Sequence, residues 1–450
     1  MSATKVASPA EMDAVRGLQH TLYRAAKADP GRRFHALSDK VSRGDVLQRA
    51  WEQVRANRGA PGIDRMTIDQ VERHGVSRLL GELAADLEDG SYRPLPARRV
   101  LIPKPGGSEL RPLSIPTVRD RVAQAALKIV LEPVFEADFL PCSFGFRPRR
   151  AAHDALQVLL DESWRGRRWV VETDVANCFG AIDHQRLIQA VEERVSDRAV
   201  LRLLRAMLRA GVMDGGTVSR PSAGTPQGGV VSPLLANVFL HRLDRVWSTR
   251  EHGVLVRYAD DLVVMCASRQ QAEAALARLR VLLAELGLEP KEAKTRIVHL
   301  AVGGEGFDFL GFHHRLVRAK GRTGKRQVVF LARWPSSRAV QHARDRLREL
   351  TVRSRLLVPV ERVVREMNLF LRGWVGYFRH GNSARVFAKV NDHAVERLCL
   401  FVAKRRKRHR RFGLALFLRS GDRLGLTSLL GTVVAPRPFR DWRAAAERRR

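Results

Sequence analysis

An α+β fold is what this sequence predicts: an antiparallel sheet backed by helices, then an all-helical C-terminal third. Three observations carry that expectation. Short runs rich in apolar and β-branched residues stand at 98–102, 169–174 and 254–265. Segments with apolar residues every three to four positions separate them. Beyond Trp334-Pro335 only the helical period persists.

Taken in order, residues 1 to about 40 are polar and predict no firm element. A helical pattern spans 43–57, a Gly/Pro loop follows, and helical signals return at 69–87. Residues 98–102 read as a strand whose partner, 108–115, returns across Pro105-Gly106-Gly107. Residues 120–134 predict a helix that Pro133 ends. The run 169–174 reads as a buried strand. Two helices follow at 183–195 and 197–210, with Asp197 as N-cap of the second and Gly211 as its stop. A helix at 233–248, a hairpin at 254–265 and a helix at 270–286, closed by Gly287 and Pro290, complete the sheet-bearing part. Three helical segments come last, at about 336–351, 360–379 and 383–404. In the middle one Val363, Met367, Phe370, Trp374 and Tyr377 recur at helical spacing, a core stripe rather than a base-stacking surface.

A chain of 450 residues can bury substantial cores in two or three domains. Its 80 Lys and Arg against 47 Asp and Glu give +33, with an isoelectric point near 11.4, which points to a nucleic-acid partner. The charge is uneven: residues 336–450 hold 28 Lys and Arg against 9 Asp and Glu. Its densest run is Lys404, Arg405, Arg406, Lys407, Arg408, His409, Arg410 and Arg411, expected to meet phosphates. Four scattered cysteines, Cys142, Cys178, Cys266 and Cys399, form no Cys-x-x-Cys and suggest neither a zinc ribbon nor a disulfide framework. His313, His314 and His409 are expected to be solvated or phosphate-facing rather than metal-binding. Neither a signal peptide nor a run of 18 apolar residues is visible, so a cytoplasmic, nucleoid-associated protein without a membrane span is expected.

The chemistry concentrates in Val254-Leu-Val-Arg-Tyr-Ala-Asp-Asp-Leu-Val-Val-Met265, whose hairpin tip carries Asp260 and Asp261. Asp174 ends a neighbouring apolar run. Aspartates alone at a turn are usually solvated. Three of them on adjoining strands can hold two Mg²⁺ ions about 4 Å apart for in-line phosphoryl displacement, the arrangement of nucleotide polymerases. Further along, Gly224-Thr-Pro-Gln-Gly-Gly229 makes a loop whose backbone can approach a ligand, with Gln227 offering donor and acceptor together.

These segments, with Arg98-Arg-Val-Leu-Ile-Pro-Lys-Pro-Gly-Gly107, Leu110-Arg-Pro-Leu113, Ser143-Phe-Gly-Phe-Arg-Pro148, Val170-Val-Glu-Thr-Asp-Val-Ala-Asn-Cys-Phe-Gly180 and Gly306-Phe-Asp-Phe-Leu-Gly-Phe312, occur in an order that resembles the bacterial group II intron-encoded reverse transcriptase/maturase. The resemblance runs from about Arg32 to about Pro438. It implies a right-hand polymerase: an N-terminal extension over 1–90, fingers and palm over 91–334, a three-helix thumb or maturase domain over 335–404, and a basic segment over 405–450. Asp174, Asp260 and Asp261 would be the catalytic metal ligands for two Mg²⁺ ions. Lys104 and Arg111 would grip the triphosphate of the incoming dNTP, and Gln227 would touch it. Phe179 would reject a ribose 2′-hydroxyl, which argues against an RNA-making polymerase. Lys294 resembles a further phosphate-facing lysine. Cys178 and Gly180 depart from the family's Phe-Phe-Asp around the gate. The paired cysteines of a C-terminal His-Asn-His endonuclease are not expected. The implied partners are group II intron RNA, target DNA and dNTPs, with the oligomeric state open. The alternative is a host-adopted relative acting in defence or repair without an intron.

Overall fold

The computed structural model describes residues 9–103, 110–220, 222–320 and 327–437. Five helices open the chain: α1 (Pro9–Ala28), α2 (Ser38–Val41), α3 (Gly44–Ala56), α4 (Ile68–His74) and α5 (Val76–Glu88). Helix α1 lies in the stretch where the sequence predicted nothing firm. Its apolar positions, Val15, Leu18, Leu22 and Ala26, are thinly spread among charges, yet they form one stripe that is buried on the central core. The expected helix over 69–87 is two helices. Thr67 and Gln70 form a capping box on α4, and Gly75, at φ 104°, breaks the chain before α5.

Next come β1 (Ala97–Pro103), β2 (Leu110–Ile115) and α6 (Val118–Glu136). Strands β1 and β2 pair antiparallel as expected, Val100 opposite Leu113. Helix α6 corrects one expectation: it does not stop at Pro133 but runs to Glu136. Pro133 has no N–H to give the carbonyl of Ile129 four residues back, and Gln19 Nε2 of α1 donates to that carbonyl instead, at 3.1 Å. Helix α7 (Ala152–Trp164) leads into β3 (Trp169–Asp174), then α8 (Cys178–Ala181), α9 (His184–Glu192) and α10 (Arg198–Arg209). Asp183 and Asp197 cap α9 and α10, and Gly211, at φ 81°, follows the end of α10. Two short strands, β4 (Val212–Asp214) and β5 (Thr217–Ser219), extend the first sheet to the order β2-β1-β4-β5.

Helices α11 (Ser232–Arg245) and α12 (Thr249–His252) precede the hairpin of β6 (Val254–Tyr258) and β7 (Asp261–Cys266). After α13 (Arg269–Glu285), β8 (Arg296–His299) completes a second sheet, ordered β6-β7-β3-β8 and antiparallel throughout. Strands β9 (Phe307–Phe309), β10 (Phe312–Lys320) and β11 (Gln327–Pro335) make a third antiparallel sheet that sequence reasoning missed. Its alternation is masked because polar side chains, His314 and Arg333, stand at buried positions. The chain ends in α14 (Ser337–Leu350), α15 (Val360–Phe378), α16 (Ala384–Arg405) and α17 (Arg410–Arg419). The first three match the expected bundle within two residues at either end, and α17 is an addition. The stripe on α15 is core as expected: Val363, Met367 and Trp374 are buried, with Phe370 and Tyr377 packed against them. No described helix is long and apolar enough to cross a membrane.

The second sheet lies between two cores. Val171, Leu262 and Val264 face a core that includes side chains of α6, α9, α11 and α13. Val170, Val263 and Met265 face another, shared with α7, the third sheet and α14–α16. Burial on both faces explains why these strands read as unbroken apolar runs rather than alternating ones.

Inside that sheet sits a charge. Arg257 is 0% exposed, and its guanidinium makes a two-point ion pair with the equally buried Asp244 of α11 (Nε to Oδ1 2.8 Å, Nη2 to Oδ2 2.5 Å). It also donates to Asn237 Oδ1 at 3.0 Å and to the carbonyl of Ala259 at 3.1 Å. His314 overturns the expectation of a solvated ring. It is buried in β10, stacked on Phe307 at 4.8 Å, and neither ring nitrogen has a hydrogen-bond partner among the described residues. His313 pairs with Asp308 at 2.7 Å.

Two outcomes follow from these buried groups. Asp244→Ala strands the Arg257 charge and is expected to cost about 3–5 kcal/mol, read from denaturant unfolding. A cost within about 0.5 kcal/mol would show the pair to be dispensable. Burial, and then the neighbouring Arg333 charge, push the His314 imidazole down to about 3. Its folded pKa is therefore below the unfolded value, so its contribution is whole above about pH 6.5 and is lost as pH falls from there towards 3. His314→Phe keeps the ring stack and should narrow the stability difference between pH 7.5 and pH 5, which unfolding at the two pH values measures.

Candidate active site

Asp174 is the last residue of β3 and Asp261 the first of β7, and the register places them opposite each other. Asp260 lies in the two-residue turn between β6 and β7, beside Ala259 at φ 57°. The Asp260 carbonyl accepts from Val175 N at 3.1 Å, which ties the turn to the end of β3. The fold thus brings the three sequence-predicted carboxylates to one edge of one sheet.

Their electrostatics are short of positive charge. Burial, with added repulsion from Asp260 and Glu172, pushes the Asp261 carboxyl up to about 7; burial also raises Asp260. Arg111, exposed on β2, pulls both back down. The Lys294 ammonium is in direct contact with the Asp174 carboxylate. Instead of standing out towards a phosphate, Lys294 holds one of the three acids. An all-carboxylate donor set suits a hard divalent cation. Among the described residues, no three acidic, His or Cys side chains already close into a metal cage.

The other predicted residues flank this edge. Phe179, in the short helix α8, is half-buried, and its carbonyl accepts from Thr225 N at 2.6 Å. Gln227 O accepts from Ser114 N at 2.6 Å, so the Gly224–Gln227 loop is bonded to both the gate segment and β2. The Gln227 Oε1 atom is buried without a hydrogen-bond partner among the described residues. A buried acceptor left open is costly, and a ligand donor would satisfy it. The two departures at the gate have local reasons. Cys178 is buried, its thiol pushed up to about 12 by burial and then by Asp260, so it acts as a small core residue. A Cβ at Gly180 would meet the Asn177 side chain at 2.5 Å, so the family's acid here would require Asn177 to turn away. Lys104 lies outside the described residues.

The run 404–411 is the junction of α16 and α17 rather than a free tail. Arg405 donates to Val358 O at 2.7 Å, Arg410 pairs with Glu396 at 2.9 Å, and Arg406 covers the Phe412 ring. Lys404, Lys407, Arg408 and Arg411 are exposed. All four cysteines are free thiols.

Sequence reasoning missed the buttress of the site. Arg257 N donates to Cys142 O and Phe144 N to Arg257 O, both at 2.8 Å, so the 142–144 segment runs along β6. A Cβ at Gly145 would lie 2.4 Å from Ala259 N, so only glycine lets this segment touch the turn. Arg147 completes it with a bidentate pair to Glu136 and bonds to three carbonyls. The available signal was an arginine inside an otherwise apolar strand.

The chain matches the family model described as reverse transcriptase (RNA-dependent DNA polymerase) over residues 102–314. A second model, group II intron, maturase-specific domain, matches residues 340–416. Protein YkfC of Escherichia coli (strain K12) is 35% identical over 355 residues, 69% of this chain and 91% of that protein. Group II intron-encoded protein LtrA of Lactococcus lactis subsp. cremoris is 38% identical over 214 residues, 47% of this chain and 35% of LtrA. The nuclear intron maturase 4, mitochondrial, of Arabidopsis thaliana is 27% identical over 236 residues, 52% of this chain and 28% of that protein. The match thus spans about a third of the length of LtrA. With both models met in order on one chain, and the three aspartates gathered at one sheet edge, this protein belongs to the group II intron reverse transcriptase/maturase family, whose activity is RNA-directed DNA polymerisation with divalent metal ions.

Proposed function

We propose that this chain copies group II intron RNA into DNA from dNTPs at a target-DNA site, and also binds that RNA to assist its splicing. The observation that carries the polymerase reading is the placement of Asp174, Asp260 and Asp261 at one sheet edge, with the Asp260 and Asp261 carboxyls raised by burial and Asp261 further by the Asp260 charge. Two Mg²⁺ ions held there would supply an activated 3′-hydroxyl and neutralise the triphosphate and pyrophosphate. The chain's own groups position the rest. With metal bound at Asp174, the Lys294 ammonium that now contacts that carboxylate would turn towards a phosphate. Arg111, an exposed cation whose charge is felt by both Asp260 and Asp261, receives the triphosphate through its planar donor fork. Gln227 satisfies its open acceptor on the nucleotide, and the Phe179 ring fills the space of a 2′-hydroxyl. In the maturase role, Lys404, Lys407, Arg408 and Arg411 contact phosphates, while Arg405, Arg406 and Arg410 brace the junction that presents them.

Domain limits of 1–90, 91–334, 335–404 and 405–450 belong to the same proposal, with one amendment. Helix α17 joins the helical unit, because Phe417 packs in its core.

Asp260→Asn removes a metal charge and should abolish primer extension on an RNA template in Mg²⁺ while RNA binding stays within about twofold, since phosphate contacts elsewhere supply the affinity. Extension at the wild-type rate would overturn the triad assignment. Phe179→Ala should raise the ratio of ribonucleotide to deoxyribonucleotide incorporation by at least tenfold, because ring and hydroxyl compete for one space. An unchanged ratio would make Phe179 a packing residue only.

A further inference from the structure

Helix α10 carries a feature that the reading above leaves unused. Its sequence, Arg198-Ala-Val-Leu-Arg-Leu-Leu-Arg-Ala-Met-Leu-Arg209, contains four arginines and no acid. They fall at steps of four, three and four residues, which at about 100° per residue places all four within roughly a 60° arc. The opposite side, Val200, Leu201, Leu204, Met207 and Leu208, is buried. Arg205 is held by Glu192 at 2.6 Å. Arg198, Arg202 and Arg209 are exposed, and among the described residues no carboxylate pairs with them. Like charges at i and i+4 destabilise a helix, so this face lowers stability unless something anionic covers it.

The surroundings narrow the partner. A hollow of about 640 Å³ between α9 and α10 is bordered by Arg205, Arg209 and Arg220. On the other flank Arg202 and Arg93 border a hollow of about 250 Å³. The helix edge therefore stands as a ridge with concave ground on each side. Successive arginines advance about 5–6 Å along the axis, at about 1.5 Å per residue, the scale on which phosphates repeat along a strand. Single strands are held chiefly by exposed aromatic platforms. Neither hollow presents an open stacking ring: Tyr92 is buried, and the His184 imidazole is half-buried, with its Nε2 2.7 Å from Gly224 O. The acids that also border them are engaged, Asp86 by Arg119, Glu192 by Arg205 and Asp183 as the cap of α9. A cationic ridge without an open stacking ring fits a base-paired backbone read by shape.

We propose that the arginine face of α10 is a docking edge for the phosphate backbone of double-stranded RNA, built from residues other than those of the carboxylate edge and the α16–α17 junction. It rests on the reading of this chain as an RNA-binding polymerase and adds where a folded RNA is gripped.

The test uses the full chain and a 20-base-pair RNA duplex of arbitrary sequence, with filter binding across a salt series. The variant is Arg198→Gln/Arg202→Gln/Arg209→Gln, and a matched thermal midpoint shows that it folds. Affinity is expected to fall at least tenfold near 0.1 M salt, and the slope of log K against log salt by about 2–3, at roughly 0.7–0.9 per contact. The triple Arg→Lys variant should keep most of the slope, because point charges still meet phosphates. Unchanged affinity and slope would overturn the proposal. An equal loss on a DNA duplex of the same sequence would overturn the choice of RNA, and a loss confined to single-stranded RNA would overturn the choice of duplex. Extension of a short primer on its template should be unaffected in the glutamine variant. If the wild-type protein extends no primer, the polymerase reading fails by itself, while the duplex arm still reports on α10.

Discussion

The arrangement of the catalytic edge depends on one buried charge. Arg257 is surrounded by apolar strands, and its desolvation is tolerable only because Asp244, Asn237 and the Ala259 carbonyl together satisfy the guanidinium. The partners come from two separate parts of the fold. Asp244 and Asn237 are on α11, while Ala259 is in the turn that presents Asp260. The same residue's main chain pairs with the 142–144 segment. One side chain therefore fixes the turn, the helix behind it and the buttress beside it. The cost of leaving that charge unpaired makes the arrangement close to all-or-none. A carboxylate edge that must hold its geometry under strong mutual repulsion benefits from such a fastening.

Much of the fold could be read from the residues because local signals and tertiary demands agreed. Asp183 and Asp197 mark helix starts through hydrogen bonds that their own side chains accept, and Gly211 marks a helix end by its positive φ, as they do in the structure. The hairpin over β6 and β7 and the core stripe of α15 follow from periods that burial enforces. What escaped depends on remote partners. Helix α1 has too few apolar positions to signal itself until α6 covers them. Pro133 is tolerated because Gln19 of α1 supplies the donor it lacks. His314 reads as polar, and only the stacked Phe307 and the sheet above it make it a core residue.

The site divides along the same line. Asp174, Asp260 and Asp261 were legible because chemistry dictates their types and strand ends dictate their places. The contact of Lys294 with Asp174 was not, since 120 residues separate them. Nor was the work of the Ser143–Pro148 segment. Its glycine is explained by the approach of a turn more than a hundred residues away, and its arginine by Glu136 and the carbonyls of Phe139, Leu140 and Ser143. Likewise the run 404–411 has the composition of a tail, but Arg406 and Arg410 are occupied in joining α16 to α17, and Arg405 ties α16 to the carbonyl of Val358.

The core shared by β3, β6 and β7 with α14–α16 has a consequence for inheritance. Two separate sequence models describe the polymerase and the maturase, and their limits invite the picture of interchangeable parts. The packing contradicts that picture. Val170, Val263 and Met265 on the catalytic sheet are covered by the same apolar mass that includes Leu347, Met367 and Leu398. The Tyr377 hydroxyl donates to Leu310 O at 2.9 Å, and His153 Nε2 lies 2.8 Å from Tyr377 O, so polar ties cross the same seam. A lineage cannot shed the C-terminal helices without baring the back of its catalytic sheet. It cannot exchange them for another protein's without recutting both surfaces together. Copying and RNA handling are bound to descend as one unit, held by shared hydrophobic contact as much as by a shared reading frame.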